Sequence, residues 1–229
     1  MPETVVQPEP VSPGQFGSPS SSGIGGVVRG KRQQKRAGIT REKIVDAAAR
    51  QFDACGFAAA SINSIIEEGN LTKGAIYFHF SSKEQLAQQV IERWSNMVNE
   101  EYLALEESGD GSPYRQLVRF CSEVAHHIDA DPLLRAGLLL TVEPSVTGGK
   151  DSYTQWRNNI DELVVRAIDA GEIKAGSASY RLSDQVCATF IGGAQLQSID
   201  VSSPNLGTRI ADVFEGLSSD PGQPKLRRL

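Results

Sequence analysis

The run Leu71-Thr72-Lys73-Gly74-Ala75-Ile76-Tyr77-Phe78-His79-Phe80 constrains this chain more than any other, because it crowds one short helix between two helix-start signals. Thr72 can cap a helix, its hydroxyl accepting from the orphan amides one turn on, and Phe80-Ser81-Ser82 then opens a second helix through Ser82. The first helix therefore has one or two turns. Leu71, Ala75 and Phe78 are expected to share its apolar back, with Thr72, Lys73, Tyr77 and His79 projecting from the other faces. A tip of that composition suits the major groove of DNA: Gly74 lets the backbone approach closely, Lys73 can reach a guanine edge, and Tyr77 and His79 can donate to phosphate oxygens. The plainer reading is a capped surface helix with two aromatics packed inward.

Upstream, Ser61-Ile62-Asn63-Ser64-Ile65-Ile66-Glu67-Glu68 reads as a capped helix, and Gly69-Asn70 supply the turn because both tolerate a left-handed backbone. Helix, Gly-containing turn and short polar helix together make a helix-turn-helix. Before it, Thr40 can cap a helix from Arg41 to Ala54 in which Ile44, Ala48 and Phe52 recur every four residues and which Gly56 stops. Three helices then pack around Ile44, Phe52, Ile62, Ile65, Leu71 and Phe78.

Thr40 to Leu86, with the block Thr72 to Phe80 followed by Ser82-Lys83-Glu84, resembles the DNA-binding domain of TetR-type repressors. Within that superfamily it is most similar to the γ-butyrolactone receptors of antibiotic-producing actinomycetes. Glu68-Gly69-Asn70-Leu71 stands where the family commonly has an Ala-Gly-Val-like turn. The resemblance implies an all-α protein: a three-helix DNA-binding domain with a helix-turn-helix at the N-terminal side, then a helical ligand-binding and dimerisation domain. The expected DNA contacts are Arg36, Ser61, Thr72, Lys73, Gly74, Ala75, Tyr77, His79 and Lys83.

The net charge of −5 looks wrong for a DNA binder until the chain is split. Residues 1 to 83 hold 10 Lys and Arg against 7 Asp and Glu, giving +3, and the remainder holds 13 against 21, giving −8. The basic charge therefore accompanies the groove-reading helix. Met1 to Val28, rich in Pro, Gly and Ser, is expected to be a disordered tail. Arg29-Gly30-Lys31-Arg32-Gln33-Gln34-Lys35-Arg36 follows as a basic arm that can lie along phosphates or enter a minor groove, or that only solubilises the chain. The expected organisation is a tail and arm over 1–36, the DNA-binding domain over 37–83, the helical domain over 84–218 and a C-terminal tail over 219–229.

Three cysteines, Cys55, Cys121 and Cys187, lie far apart with no CxxC spacing, so neither a disulfide framework nor a metal site is indicated. No cofactor is implied. No apolar run approaches the roughly 18 residues of a membrane span, and the start lacks the charged-then-apolar order of a signal peptide. The expectation is a soluble, cytoplasmic protein at the nucleoid, with no membrane partner.

Ser82-Lys83-Glu84-Gln85 is a capping-box pattern, and a long helix follows with Leu86, Val90, Trp94, Met97, Val98 and Tyr102 as its apolar stripe. Lys83, near its start, is placed for a phosphate contact. Beyond it the chain reads as helix throughout. Ser112-Pro113 starts a helix through Ile128, and Asp131-Pro132 starts one through Leu140, each with Pro in the first turn. Glu143 to Lys150 is a loop, Asp151 opens a helix ended by Gly171, Ser183 or thereabouts opens another, and Asn205 to Leu217 is the last.

Pro132-Leu133-Leu134-Arg135-Ala136-Gly137 and Tyr153-Thr154-Gln155-Trp156-Arg157 extend the resemblance to butyrolactone receptors, in which the tryptophan matching Trp156 lines the ligand pocket. A tryptophan among small and apolar partners offers a flat wall and one N–H donor, suited to a lactone ring with a short alkyl chain. The expected ligand site is Trp94, Phe120, Trp156, Val186, Thr189 and Phe190, of which the resemblance implies Trp156 and Thr189. Thr189 either bonds a ligand oxygen or bonds its own helix backbone. A butenolide, a furan, an antibiotic intermediate and no ligand at all are all compatible with these residues.

The function expected is a ligand-responsive repressor that binds a pseudo-palindromic operator in double-stranded DNA as a homodimer and is released by a small lactone-like autoregulator, controlling antibiotic or secondary-metabolite genes. The alternatives are a repressor answering another ligand, as in efflux control, and an orphan receptor. One short recognition helix buries too little base-specific surface, so two must act together. The dimer is expected through the last two helices, whose apolar faces, Val186 to Leu196 and Leu206 to Leu217, exceed what one chain would bury. An enzyme is not indicated: Cys121 and His126 or His127, the only nearby nucleophile and base, stand roughly 140 to 240° apart around a helix.

Overall fold

The computed structural model describes residues 23–107, 109, 111–200 and 202–218, with side chains from residue 37 onward except at 106, 107 and 218. The chain divides into two units, Met1–Gly38 and Ile39–Leu229, and the packing described below is that of the second. Among the described residues there are nine α-helices, one turn of 3-10 helix and no strand.

Helix α1 spans Gly23–Ala59 and is broken at Gly56, whose φ of 76° and ψ of 167° an L side chain adopts only with strain. Its start corrects two expectations. Gly23 to Arg36 are helical rather than an irregular tail and arm, and Thr40 stands inside the helix instead of capping it. Lys31 to Ala37 is an unbroken run of Lys, Arg, Gln and Ala, all good helix formers, although Gly30 and Gly38 flank it. Residues 1–22 and the C-terminal tail 219–229 lie outside the described residues, as do the side chains of the basic arm and therefore any contact by Arg36.

Helices α2 (Ile62–Glu68) and α3 (Lys73–His79) complete the head. Ser61 and Ser64 close a reciprocal cap on α2, each side chain accepting from the other's backbone N–H at 3.0 Å. In the turn only Asn70 takes a positive φ, 46°, while Gly69 at −87° is helical. Gly69 is there for room: a Cβ on it would lie 2.6 Å from Leu71 Cδ1 and 3.0 Å from Ala47 Cβ. The head buries Ile44, Ala48, Phe52, Ile65, Ile76 and Phe80 together.

Helix α4 (Lys83–Glu107) runs through both hydrophobic cores of this unit. Leu86, Ala87, Val90 and Ile91 belong to the head's core, whereas Trp94, Met97, Val98 and Leu105 belong to that of the helices beyond. Its capping box is shifted by one residue, because Ser82 Oγ accepts from Gln85 N at 3.3 Å while Gln85 Oε1 accepts from Ser81 N at 2.8 Å. Helix α6 (Pro132–Thr141) spans both cores in the same way, with Leu133, Ala136 and Leu140 facing the head and Leu138 facing the body. A Cβ on its Gly137 would lie 2.5 Å from Trp94 Cβ, so glycine is what lets α6 lie against α4. Arg135 and Asp53 join α6 to α1 by two parallel hydrogen bonds of 2.7 and 2.6 Å.

Helices α5 (Pro113–Ala130), α7 (Gly149–Asp169), α8 (Leu182–Ile199) and α9 (Leu206–Ser218) complete the body. Helix α7 begins two residues before Asp151, after Gly148 at φ 85°. Asp129 ties three helices, its carboxylate accepting from Gln197 Nε2 at 2.8 Å and from Leu206 N and Gly207 N at 3.0 Å each. The apolar faces expected to meet a second chain are in fact buried in this one: Val186, Cys187, Phe190 and Ala194 of α8 and Leu206, Ile210 and Phe214 of α9 all lie in the body core. What α8 leaves outside is Leu196 and, 74% exposed, Ile199.

Candidate nucleic-acid interface and buried tryptophan site

Thr72 fixes where α3 begins. Its Oγ1 accepts from Ala75 N at 3.1 Å, which makes Lys73 the first helical residue and Leu71 a half-buried residue ahead of the helix. The four-residue repeat counted from Leu71 therefore does not hold, and the inward position is Ile76, fully buried, followed by Phe80 after the helix end. Phe78, expected in the core, is 78% exposed. Successive residues turn by about 100°, so Gly74 and Phe78 stand about 160° to either side of Ile76 and together form the outermost line of the helix.

Lys73 and Tyr77 form the next column, the ammonium 5.9 Å from the ring centroid, and Tyr77 is 51% exposed. Gly74 is open, with nothing within 4 Å of a Cβ placed there, so a large partner can approach the backbone. Ala75 and His79 are half-buried, and the His79 ring meets Phe78 edge-on at 4.9 Å. Lys73, Gly74 and Tyr77 thus share one outward surface, while Thr72 is exposed at the helix start with its hydroxyl engaged in the cap. Ser61 is exposed as well, but its hydroxyl serves the α2 cap.

Lys83 is placed differently from the expectation. Its ammonium donates to Phe57 O at 2.7 Å and Ala60 O at 2.8 Å and lies 4.3 Å from the Phe57 ring centroid. The carbonyls freed by the break at Gly56 attract the cation, so Lys83 clamps the end of α1 to the start of α4 rather than standing free for a phosphate.

In the body, Trp94 and Trp156 are buried edge to face with centroids 5.6 Å apart, and Trp156 meets Phe190 in the same way at 5.3 Å. Neither indole N–H has a hydrogen-bond partner. A buried donor left without a partner costs about 1 to 3 kcal/mol, and here two lie in one aromatic cluster. Phe120 and Val186 belong to the same core. Thr189 does not: half-buried, it donates to Gln185 O of its own helix at 2.8 Å, the second of its two expected roles. Tyr153 packs on Trp156 at 6.0 Å, a neighbour marked in the sequence only by its place in the Tyr153-to-Arg157 block.

The thiols near this site are inert. Burial raises Cys121 far above the usual thiol range and pushes Cys187 up to about 12, so neither is a nucleophile at neutral pH. His127 Nε2 lies 2.9 Å from Glu101 Oε1. Among the described residues no group of three His, Cys, Asp or Glu is placed to hold a metal ion, and no helix is long and apolar enough to cross a membrane.

A capped helix presented outward by a second helix and a Gly-Asn turn is the device of DNA-binding transcriptional regulators, and similarity to known proteins narrows that class to a family. Residues 44–90 match the bacterial regulatory proteins of the tetR family. The chain is 30% identical to the full-length TetR regulator TylP of Streptomyces fradiae over 80% of this chain and 86% of that one, with a TM-score of 0.57. It therefore belongs to the tetR family. It is also similar to the A-factor receptor protein of Streptomyces griseus, at 28% identity over 84% of this chain and 67% of that one. The structure of CprB of Streptomyces coelicolor in complex with its operator matches with a TM-score of 0.65 and 28% identity, over 80% of this chain and 88% of that one. The protein is a TetR-family transcriptional regulator close to the γ-butyrolactone receptors.

Proposed function

We propose that this chain is a dimeric repressor that reads a pseudo-palindromic operator with α3 and is released by a small lactone-like or butenolide-like signal held between Trp94 and Trp156, controlling antibiotic or secondary-metabolite genes in the cytoplasm. The observation that carries the reading is the pair of buried indole N–H donors without partners. A neutral ligand bearing ring and carbonyl oxygens satisfies both, and the surrounding Phe120, Val186 and Phe190 receive an alkyl chain. The similarity to an A-factor receptor supports the same ligand class.

The route to DNA follows from the two helices shared by both cores. A ligand wedged at Trp94 displaces α4, and through Gly137 it displaces α6, whose Arg135 holds Asp53 of α1. In a dimer the two recognition helices must keep a spacing of about 34 to 36 Å, so a shift of a few ångström lowers operator affinity. The second chain is expected on the outer side of α8, where Leu196 and Ile199 are exposed. On DNA, Lys73 reads a guanine edge and Tyr77 and His79 hold phosphates; the expectation for Lys83 is withdrawn because its ammonium is engaged by carbonyls.

The test is release from a selected operator by a panel of alkyl γ-butyrolactones and butenolides. Wild type is expected to be released, whereas Trp156→Ala binds the operator nearly as well and is not. If Trp156→Ala is released at the same lactone concentration as wild type, the ligand binds elsewhere.

A further inference from the structure

We infer that Phe78 is a base-reading residue, one that recognises the 5-methyl group of a thymine in each operator half-site. The inference rests on the reading that α3 enters the major groove. A phenylalanine 78% exposed on a seven-residue helix forfeits burial in the folded protein, although the same helix buries Ile76 completely. Its position is the outermost one. Gly74 and Phe78 lie opposite Ile76, four residues apart on one line, so the ring projects where the helix is farthest from its own core. Gly74 leaves the surface beside the ring open, with no atom within 4 Å of a Cβ built there. His79 meets the ring edge-on at 4.9 Å, on the side away from Gly74.

The chemistry of the groove then selects the partner. Lys73 and Tyr77, in the adjacent column, supply a cation and a hydroxyl for acceptors and phosphates. A phenyl ring offers no donor or acceptor, and the apolar group that a base pair displays in the major groove is the thymine methyl. Phe78 therefore contributes sequence preference where Lys73 contributes a hydrogen bond to guanine.

The experiment selects sites for the full chain from a random duplex library, then replaces each thymine of the consensus singly by deoxyuridine, which removes only the methyl group. For wild type one position per half-site is expected to lose about 4-fold in affinity, the scale of exposing one buried methyl, and about 15-fold when both half-sites are changed. Phe78→Ala is expected to melt at the wild-type temperature, to bind the thymine site with the lowered affinity, and to show no difference between thymine and deoxyuridine there. Methyl sensitivity in Phe78→Ala equal to that of wild type, or none in wild type at any thymine, overturns the inference. Lys73→Ala separates this failure from that of the groove reading. If Lys73→Ala changes the selected consensus and Phe78→Ala does not, only the role of Phe78 is lost; if neither changes it, α3 is not the reading helix.

Discussion

The head and the body of this molecule place their working groups on opposite sides of the protein surface. In the head, the core of Ile44, Phe52, Ile65, Ile76 and Phe80 is closed and apolar, and the groups available to a partner, Lys73, Gly74, Tyr77 and Phe78, are outside. In the body the unmet demand is inside, in two indole N–H groups with no acceptor. On the proposed function, this division lets one chain answer two ligands. The head offers its groups to a large polyanion from the surface, while the body core keeps a hydrogen-bonding deficit that the proposed small, buried ligand would relieve.

The junction between them is the place to break this division. Asp53→Ala leaves Arg135 part-buried without its carboxylate and is expected to lower stability by about 2 to 4 kcal/mol, read by urea unfolding. Unfolding in a single step with that loss indicates that head and body are one cooperative unit; an unchanged midpoint shows that the pair does not join them. Gly137→Ala should cost about 1 to 3 kcal/mol, because the new methyl cannot share space with Trp94 Cβ, and it should also shift the fluorescence of Trp94.

Smaller changes sharpen the contrast. Thr72→Ala removes the cap of α3 and should cost about 1 kcal/mol while leaving the fluorescence of the body untouched. Trp156→Phe deletes an orphaned donor along with part of a ring, two effects of opposite sign, so the net loss by thermal melting should stay under about 1 kcal/mol. A loss of several kcal/mol from Trp156→Phe would mean that the indole N–H is well satisfied after all.

Helix starts were the legible part of the fold because their signals are local. Ser61, Thr72, Ser82 with Gln85, Ser112-Pro113 and Asp131-Pro132 each act within one turn, and the structure starts helices at all of them. Thr40 has the same residue type and does not cap, since α1 begins upstream of it and includes the helix-favouring run Lys31 to Ala37. Phe78 was misplaced because the repeat was counted from Leu71, which lies before the cap; counting from Lys73 puts Ile76 inside. The clamp made by Lys83 depends on carbonyls 23 to 26 residues away, and the pairing of Asp53 with Arg135 spans 82. No window of sequence contains either. The family resemblance, more than residue type, singled out Trp156, and a donor's lack of a partner is a property of packing that is visible only in three dimensions. The same holds for the apolar faces of α8 and α9, which their own chain covers.

The central claim, that the buried tryptophan pair and the outward helix are two ends of one equilibrium, has a direct measurement, because the chain has only two tryptophans and both lie in the proposed site. Intrinsic fluorescence is titrated with the alkyl γ-butyrolactone that releases the operator, once on free protein and once with saturating operator DNA, and operator affinity is measured with and without that lactone. The account predicts a fluorescence change on binding, weaker lactone binding in the presence of operator, and a weakening by the same factor as that by which the lactone lowers operator affinity. Lactone binding that changes the fluorescence equally well with and without operator would contradict it.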